Sequence, residues 1–166
     1  MAKKQITSET VLSAYMNHIL EHGTRPKNVF VFAKELKISE QEFYQHYASF
    51  DVLEQEVFTT FFTNTLELLH KNKDYSTFDS KNKLLSFYFT FFEIMNRNRS
   101  YIIHMLSQGK MESMKSLAPL RKHFKAFIDD LELDSLDLVQ ENLNRIKPKV
   151  FLRLLGLNYY LLLSFG

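Results

Sequence analysis

Chain breakers are scarce in this sequence. Its 166 residues hold only four glycines and three prolines, so the stretches between them are long. A sheet protein of this size needs many tight turns, and turns draw on those two residues. The scarcity therefore points to an all-α fold. The apolar spacing agrees. Leu12, Tyr15, Met16 and Ile19 fall at i, i+3, i+4 and i+7, which predicts a helix over about 8–21. Thr7 or Ser8 can cap its start, Gly23 suits a left-handed closure, and Pro26 forbids continuation. Val29, Phe32, Ala33 and Leu36 repeat the spacing in a second helix over about 28–37. Ser39 with Glu42 forms a capping-box pattern at the start of a short third helix, and Phe43 and Tyr47 lie one turn apart to face the first two. Ser49 caps a fourth helix that reaches about Lys71.

Beyond that point the polar stretch 71–83 reads as a loop. A fifth helix is expected over about 78–96 and a sixth over 101–108. Residues 109–118 read as a connection, and Pro119 suits the first position of a seventh helix carrying Leu120, Phe124, Phe127, Ile128 and Leu131. Two more helices are expected over 136–146 and 149–165, divided at Pro148.

Composition narrows the function. Apolar residues make up 45 % and charged residues 24 %, enough to fold around a core. No cysteine is present, which removes disulfides, thiolate catalysis and cysteine-based zinc sites. The net charge of +2 is nearly neutral, so any contact with nucleic acid must rest on local patches. The opening residues lack the apolar stretch of a signal peptide. Segment 150–166 is the most apolar, but Arg153 and Asn158 interrupt it, and it falls short of the roughly 20 residues a spanning helix needs. The expectation is a cytoplasmic protein with no membrane span.

Three short helices followed by a long one suggest a helix-turn-helix module, and the letters go further. Ala33 to Leu53 reads AKELKISEQEFYQHYASFDVL. This resembles, without a gap, the signature of the TetR (tetracycline-repressor) family, roughly A-x-x-A-G-V-S-x-G-T-L-Y-x-H-F-x-S-K-E-x-L. Ala33, Ile38, Ser39, Phe43, Tyr44, His46, Tyr47, Ser49 and Leu53 carry the match, with Asp51 at the acidic position. The resemblance implies a helix-turn-helix module over 1–50 and a bundle for ligand binding and dimerisation over 51–166. The chain stops at Gly166, sooner than such bundles usually do, so the expectation includes a truncated C-terminus.

The implied function is a transcriptional regulator that binds operator DNA as a homodimer and answers to a hydrophobic small ligand. Lys3 and Lys4 would form an arm, Lys27 and Lys37 would touch phosphates together with Arg25 and Lys34, and Gln41, Glu42, Tyr44, His46 and Ser49 would line the DNA side. The departures are specific. Lys37 stands where the family has glycine; Glu40, Gln41 and Glu42 replace lysine, glycine and threonine; Phe50 replaces lysine. Carboxylates at a helix start suit its dipole but oppose phosphates. The alternative is therefore a TetR-fold accessory protein that has lost DNA binding and holds a lipid or isoprenoid, or another protein.

In the bundle, aromatics exceed one face per helix. Phe58, Phe62, Phe87, Phe91, Tyr101, His104 and Met105 are the expected ligand-binding set, with Tyr101 and His104 as polar handles; a filled core is the plainer reading of the same residues. His18 and His22 stand at metal-ligand spacing and Glu67 with His70 form E-x-x-H, but each lacks the further ligands a site needs. No catalytic motif, no metal and no cofactor are expected, and the acidic run Asp129, Asp130, Glu132, Asp134 and Asp137 reads as a solvated helix end.

Overall fold

A computed structural model of the protein describes residues 6–108 and 110–131, with the side chains of 110–114 left aside. Among the described residues there are helices and one 3-10 turn, and no strand. The helices are α1 (Ser8–His22), α2 (Val29–Glu35), α3 (Glu40–His46), α4 (Phe50–Lys71), α5 (Ser80–Arg97), α6 (Arg99–Ser107) and α7 (Lys110–Asp130). The all-α class is as the sequence requires. Lys3, Lys4, the two helices expected over 136–165 and the acidic residues Glu132, Asp134 and Asp137 lie outside the described residues.

The caps follow the letters. Thr7 accepts from the Thr10 N–H at the start of α1, and Gly23, at φ 68°, closes it by donating its N–H to the Ile19 carbonyl. The capping box of α3 is complete. Ser39 Oγ accepts from the Glu42 N–H at 3.2 Å, and Glu42 Oε2 accepts from the Ser39 N–H at 2.8 Å. Asp79 caps α5 through the Asn82 N–H at 2.7 Å. The stretch expected to be loop is more ordered than its polarity suggests: Lys73–Thr77 forms the 3-10 turn, capped by Asn72, and it buries Tyr75.

One boundary differs from expectation. α7 begins at Lys110, and Pro119 sits inside it instead of opening it. An interior proline lends no N–H to the ladder and disfavours a helix by about 3 kcal/mol. The residues before it, Lys110 to Ala118, hold Met, Glu, Lys and Ala, all strong helix formers, and no glycine. Their summed preference outweighs the one interruption.

The described residues divide into two compact units. The first comprises those of 1–59 and 100–119, the second those of 60–99 and 120–166, so α4 and α7 each contribute to both. The first unit buries Val11, Tyr15 and Ile19 from α1, Phe32 and Ala33 from α2, Phe43 from α3, Leu53, Val57 and Phe58 from α4, and Tyr101, Ile102 and Met105 from α6. The second buries Phe61, Phe62 and Leu69 of α4, Phe87, Phe91 and Met95 of α5, and Leu120 and Ile128 of α7. No helix among the described residues is long and apolar enough to cross a membrane.

Candidate functional site

The segment between α2 and α3 decides how α3 is presented. The Ile38 N–H reaches back to the Ala33 carbonyl at 3.0 Å and the Lys37 N–H to the Lys34 carbonyl at 3.1 Å. That pair of bonds is a Schellman closure, which reverses the chain over two residues. Ser39 then caps α3 at once. Phe43 is fully buried and Tyr47 nearly so, the latter donating its hydroxyl to the Ser8 carbonyl at 3.1 Å. α3 is therefore pinned by one face.

Its other residues distribute unevenly. Glu40, Gln41 and Tyr44 are exposed, Tyr44 by 52 %. Lys27 and Lys37 are exposed as well. Glu42 is half-buried, its carboxylate turned back onto Ser39. His46 is half-buried, its Nδ1 sharing a 3.0 Å hydrogen bond with Ser8 Oγ. Ser49 accepts from the Val52 N–H at 3.3 Å and so caps α4. A surface of Gln41, Tyr44 and the flanking lysines, on a helix held rigid from behind, is what a groove-reading helix requires.

The aromatic set named from the sequence is split between the units. Phe62, Phe87 and Phe91 come together in the second, with ring centroids 5.1 Å apart for Phe62–Phe87 and 5.6 Å for Phe87–Phe91. Phe124 and Phe127 of α7 join them, Phe127 lying 4.5 Å from Phe87. Their i, i+3 spacing was the available signal, and it was read only as the apolar face of a helix. Phe58, Tyr101 and Met105 are buried in the first unit, where His104 is half-buried and 2.9 Å from the Gln108 amide nitrogen. The Tyr101 hydroxyl is buried with no hydrogen-bond partner among the described residues. Among those residues no group of three or more metal-ligating side chains could hold an ion. His18 Nδ1 instead meets Glu35 Oε2 at 2.9 Å, and Glu35 is half-exposed.

Residues 83–165, half of the chain, match the family model described as tetracyclin repressor-like, C-terminal domain. The chain belongs to the TetR-like family. No curated protein and no solved structure matches it. The match covers α5 from Lys83 on, α6 and α7, and leaves out α1 to α4. The signature letters lie wholly in the part that the family model leaves out, so the two recognitions rest on different residues.

The departures from the TetR signature now have physical accounts. Lys37 has φ 58° and is the one non-glycine residue with positive φ among those described. The turn needs a left-handed residue, and a side chain there is disfavoured by about 1–2 kcal/mol. Phe50, in place of the TetR lysine, is a hub. It stacks on Tyr15 at 5.4 Å and meets Phe32 and Phe43 edge-on at 5.8 and 5.7 Å. Arg25, expected at a phosphate, is tied to carboxylates of α4 although its side chain stays 43 % exposed. Its Nε donates to Glu54 Oε1 at 2.7 Å and its Nη2 to Glu54 Oε2 at 2.5 Å, while Nη1 meets Asp51 at 2.9 Å. Tyr15 donates its hydroxyl to Glu54 Oε1 at 2.5 Å. Burial, then the bond to Glu54, pushes the Tyr15 phenol well above its ordinary range; the same carboxylate pushes Arg25 up.

Sequence reading missed Glu54. It stands three and four residues before Val57 and Phe58, on the buried stripe of α4, and it is only 2 % exposed. A carboxylate on a core stripe was the signal.

Proposed function

We propose that this TetR-like chain is a ligand-responsive transcriptional regulator that binds operator DNA as a homodimer and acts in the cytoplasm. α3 is the reading helix. Its pinned inner face, Phe43 and Tyr47, and its exposed Gln41 and Tyr44 are the observation that carries the reading. Lys27 and Lys37, with Lys3 and Lys4, supply phosphate contacts. The 1–50 module reads DNA, and the 51–166 bundle takes a hydrophobic ligand and dimerises. The capping box bears on the objection that the helix start is acidic. Glu42 is bonded to Ser39, which leaves Glu40 as the carboxylate free to face a groove edge, where it can accept from a cytosine amino group.

The test is fluorescence anisotropy of the full chain with fragments of its own upstream region across a salt series. Selective binding with a steep negative salt slope is expected. Tyr44→Ala should weaken it about tenfold while leaving the melting temperature unchanged, because Tyr44 is 52 % exposed. An unaltered affinity would count against the role of α3.

A second reading has one observation in its favour: Arg25, a cation the DNA reading would use, is tied to Glu54 and Asp51. In that reading the chain has lost DNA binding and serves as a lipid- or isoprenoid-binding, or protein-binding, accessory factor. Absent DNA affinity together with lipid retained in native mass spectrometry would select it.

A further inference from the structure

Of the aromatic set expected to line a ligand site, the three members in the second unit pack against one another. Phe87 is fully buried, and Phe62 and Phe91 are only 3 % exposed. Empty space lies elsewhere in the second unit. A cavity of about 440 Å³ is bounded by the end of α4, the 3-10 turn, the start of α5 and the end of α7. That volume is within the range of roughly 300–1,000 Å³ that small-molecule sites occupy.

Its lining has two chemistries. Leu66, Tyr75, Phe127 and Leu131 give apolar wall, and Tyr75 and Leu131 are buried. Lys73, Lys83 and His70 give nitrogen donors, with Asp130 as the one lining carboxylate among the described residues. Lys73, His70 and Asp130 are exposed, Lys83, Leu66 and Phe127 half-buried, and Tyr75 and Leu131 buried, so exposure rises from the apolar wall towards the charges. Among the described residues neither Lys73 nor Lys83 has a carboxylate within ion-pair distance. Two ammonium groups against one carboxylate leave the described lining with a single surplus positive charge.

We infer that this cavity binds an amphiphile with one negative charge, a monocarboxylate whose head meets Lys73 and Lys83 and whose apolar body lies along Leu66, Phe127 and Leu131. The inference deepens the ligand-responsive reading above and rests on it for a purpose, but the site is defined by its own residues. Lysines bind as point charges and lack the planar fork that suits phosphate bidentately, and one surplus charge matches a monoanion better than a dianion. The apolar walls need a body to bury, so a bare anion leaves most of the site unfilled.

The experiment is calorimetric titration of the full chain, without DNA, using octanoate, octanol, octylammonium and inorganic phosphate. Octanoate should bind at least tenfold more tightly than the other three. Lys73→Gln and Lys83→Gln, both of exposed or half-exposed side chains, should each weaken octanoate about tenfold without changing the melting temperature. Lys81→Gln, outside the cavity, should leave it unchanged. Equal binding of octanol or octylammonium, phosphate binding as tight as octanoate, full affinity in the double Lys73→Gln, Lys83→Gln variant, or no octanoate binding at all would overturn the assignment. Since DNA affinity is measured separately, its survival would show that the cavity assignment alone had failed.

Discussion

The first unit holds a buried carboxylate and the second holds rings. In the first, Glu54 is engaged by Tyr15 and Arg25, and the buried Tyr101 phenol is raised by its burial and then by the Glu54 carboxylate. In the second, Phe62, Phe87, Phe91, Phe124 and Phe127 pack on one another, and the buried Thr65 hydroxyl is satisfied within its own helix, donating to the Phe61 carbonyl at 2.7 Å. Both units contain aromatic residues, yet they are stabilised differently. The burial that drives ring packing is non-directional, with only a modest preference for edge-on or offset contact. A buried ion pair is directional, and removing one partner strands the other. The unit proposed to read DNA adds a directional charged pair to its own packed rings, Tyr15, Phe32, Phe43 and Phe50.

The contrast can be broken most sharply at its two centres. Phe87→Ala should destabilise by about 3–5 kcal/mol, because the residue is fully buried at the meeting point of the rings. Urea melts check this, and a cost under 1 kcal/mol would mean the cluster readily refills. Glu54→Ala should cost about 3 kcal/mol, the low end for a broken buried pair, since the Arg25 side chain is 43 % exposed and regains water. Added salt should narrow neither deficit much, since a pair whose carboxylate is 2 % exposed is screened little.

Alkali sharpens the comparison further. Burial raises the phenols of Tyr15 and Tyr101, with Glu54 adding to both. The native state keeps these protons while the unfolded chain loses them. Their stabilising contribution is therefore complete below about pH 10 and declines as pH rises beyond it, by about 1.4 kcal/mol per pH unit for each tyrosine. Tyr101→Phe should lessen the fall of stability between pH 10 and 11 by about 1 kcal/mol, where the unfolded phenol is half to nine-tenths ionised. An unchanged slope would show that Tyr101 ionises alike in both states. The smallest effect belongs to the turn. Lys37→Gly should stabilise by about 0.5–1 kcal/mol, relieving the left-handed strain against the entropy glycine adds to the unfolded chain. Lys37→Asn tests the charge separately, since asparagine tolerates that conformation.

Legibility followed the same divide. Helices α1 to α6 were readable because apolar residues at 3.6 spacing and caps such as Thr7, Ser39 and Ser49 are local signals. α7 was misread at its start because Pro119 carries a strong local meaning that its neighbours override. The ring cluster was readable in part, since Phe62, Phe87 and Phe91 announce burial by type, but which space they leave open is a property of packing. The role of Arg25 was not readable. Its partner Glu54 lies 29 residues on, and a lone arginine after a helix looks the same whether it meets phosphate or a buried carboxylate. Phe50 shows the reverse case: the departure from the signature was visible, and only the three rings around it explain why a lysine would not serve.

Pro119 has a consequence for amide exchange with deuterated water. The ring interrupts the hydrogen-bonded ladder of α7, whereas no proline interrupts α5. Helical stretches shorter than about 12–15 residues are marginal on their own in water. Each half of α7 is therefore ordered by what it buries, Ser116 before the ring and Leu120 and Ile128 after it. Amides just past the ring should take up deuterium ahead of the middle of α5, so that one continuous helix by shape opens as two by rate.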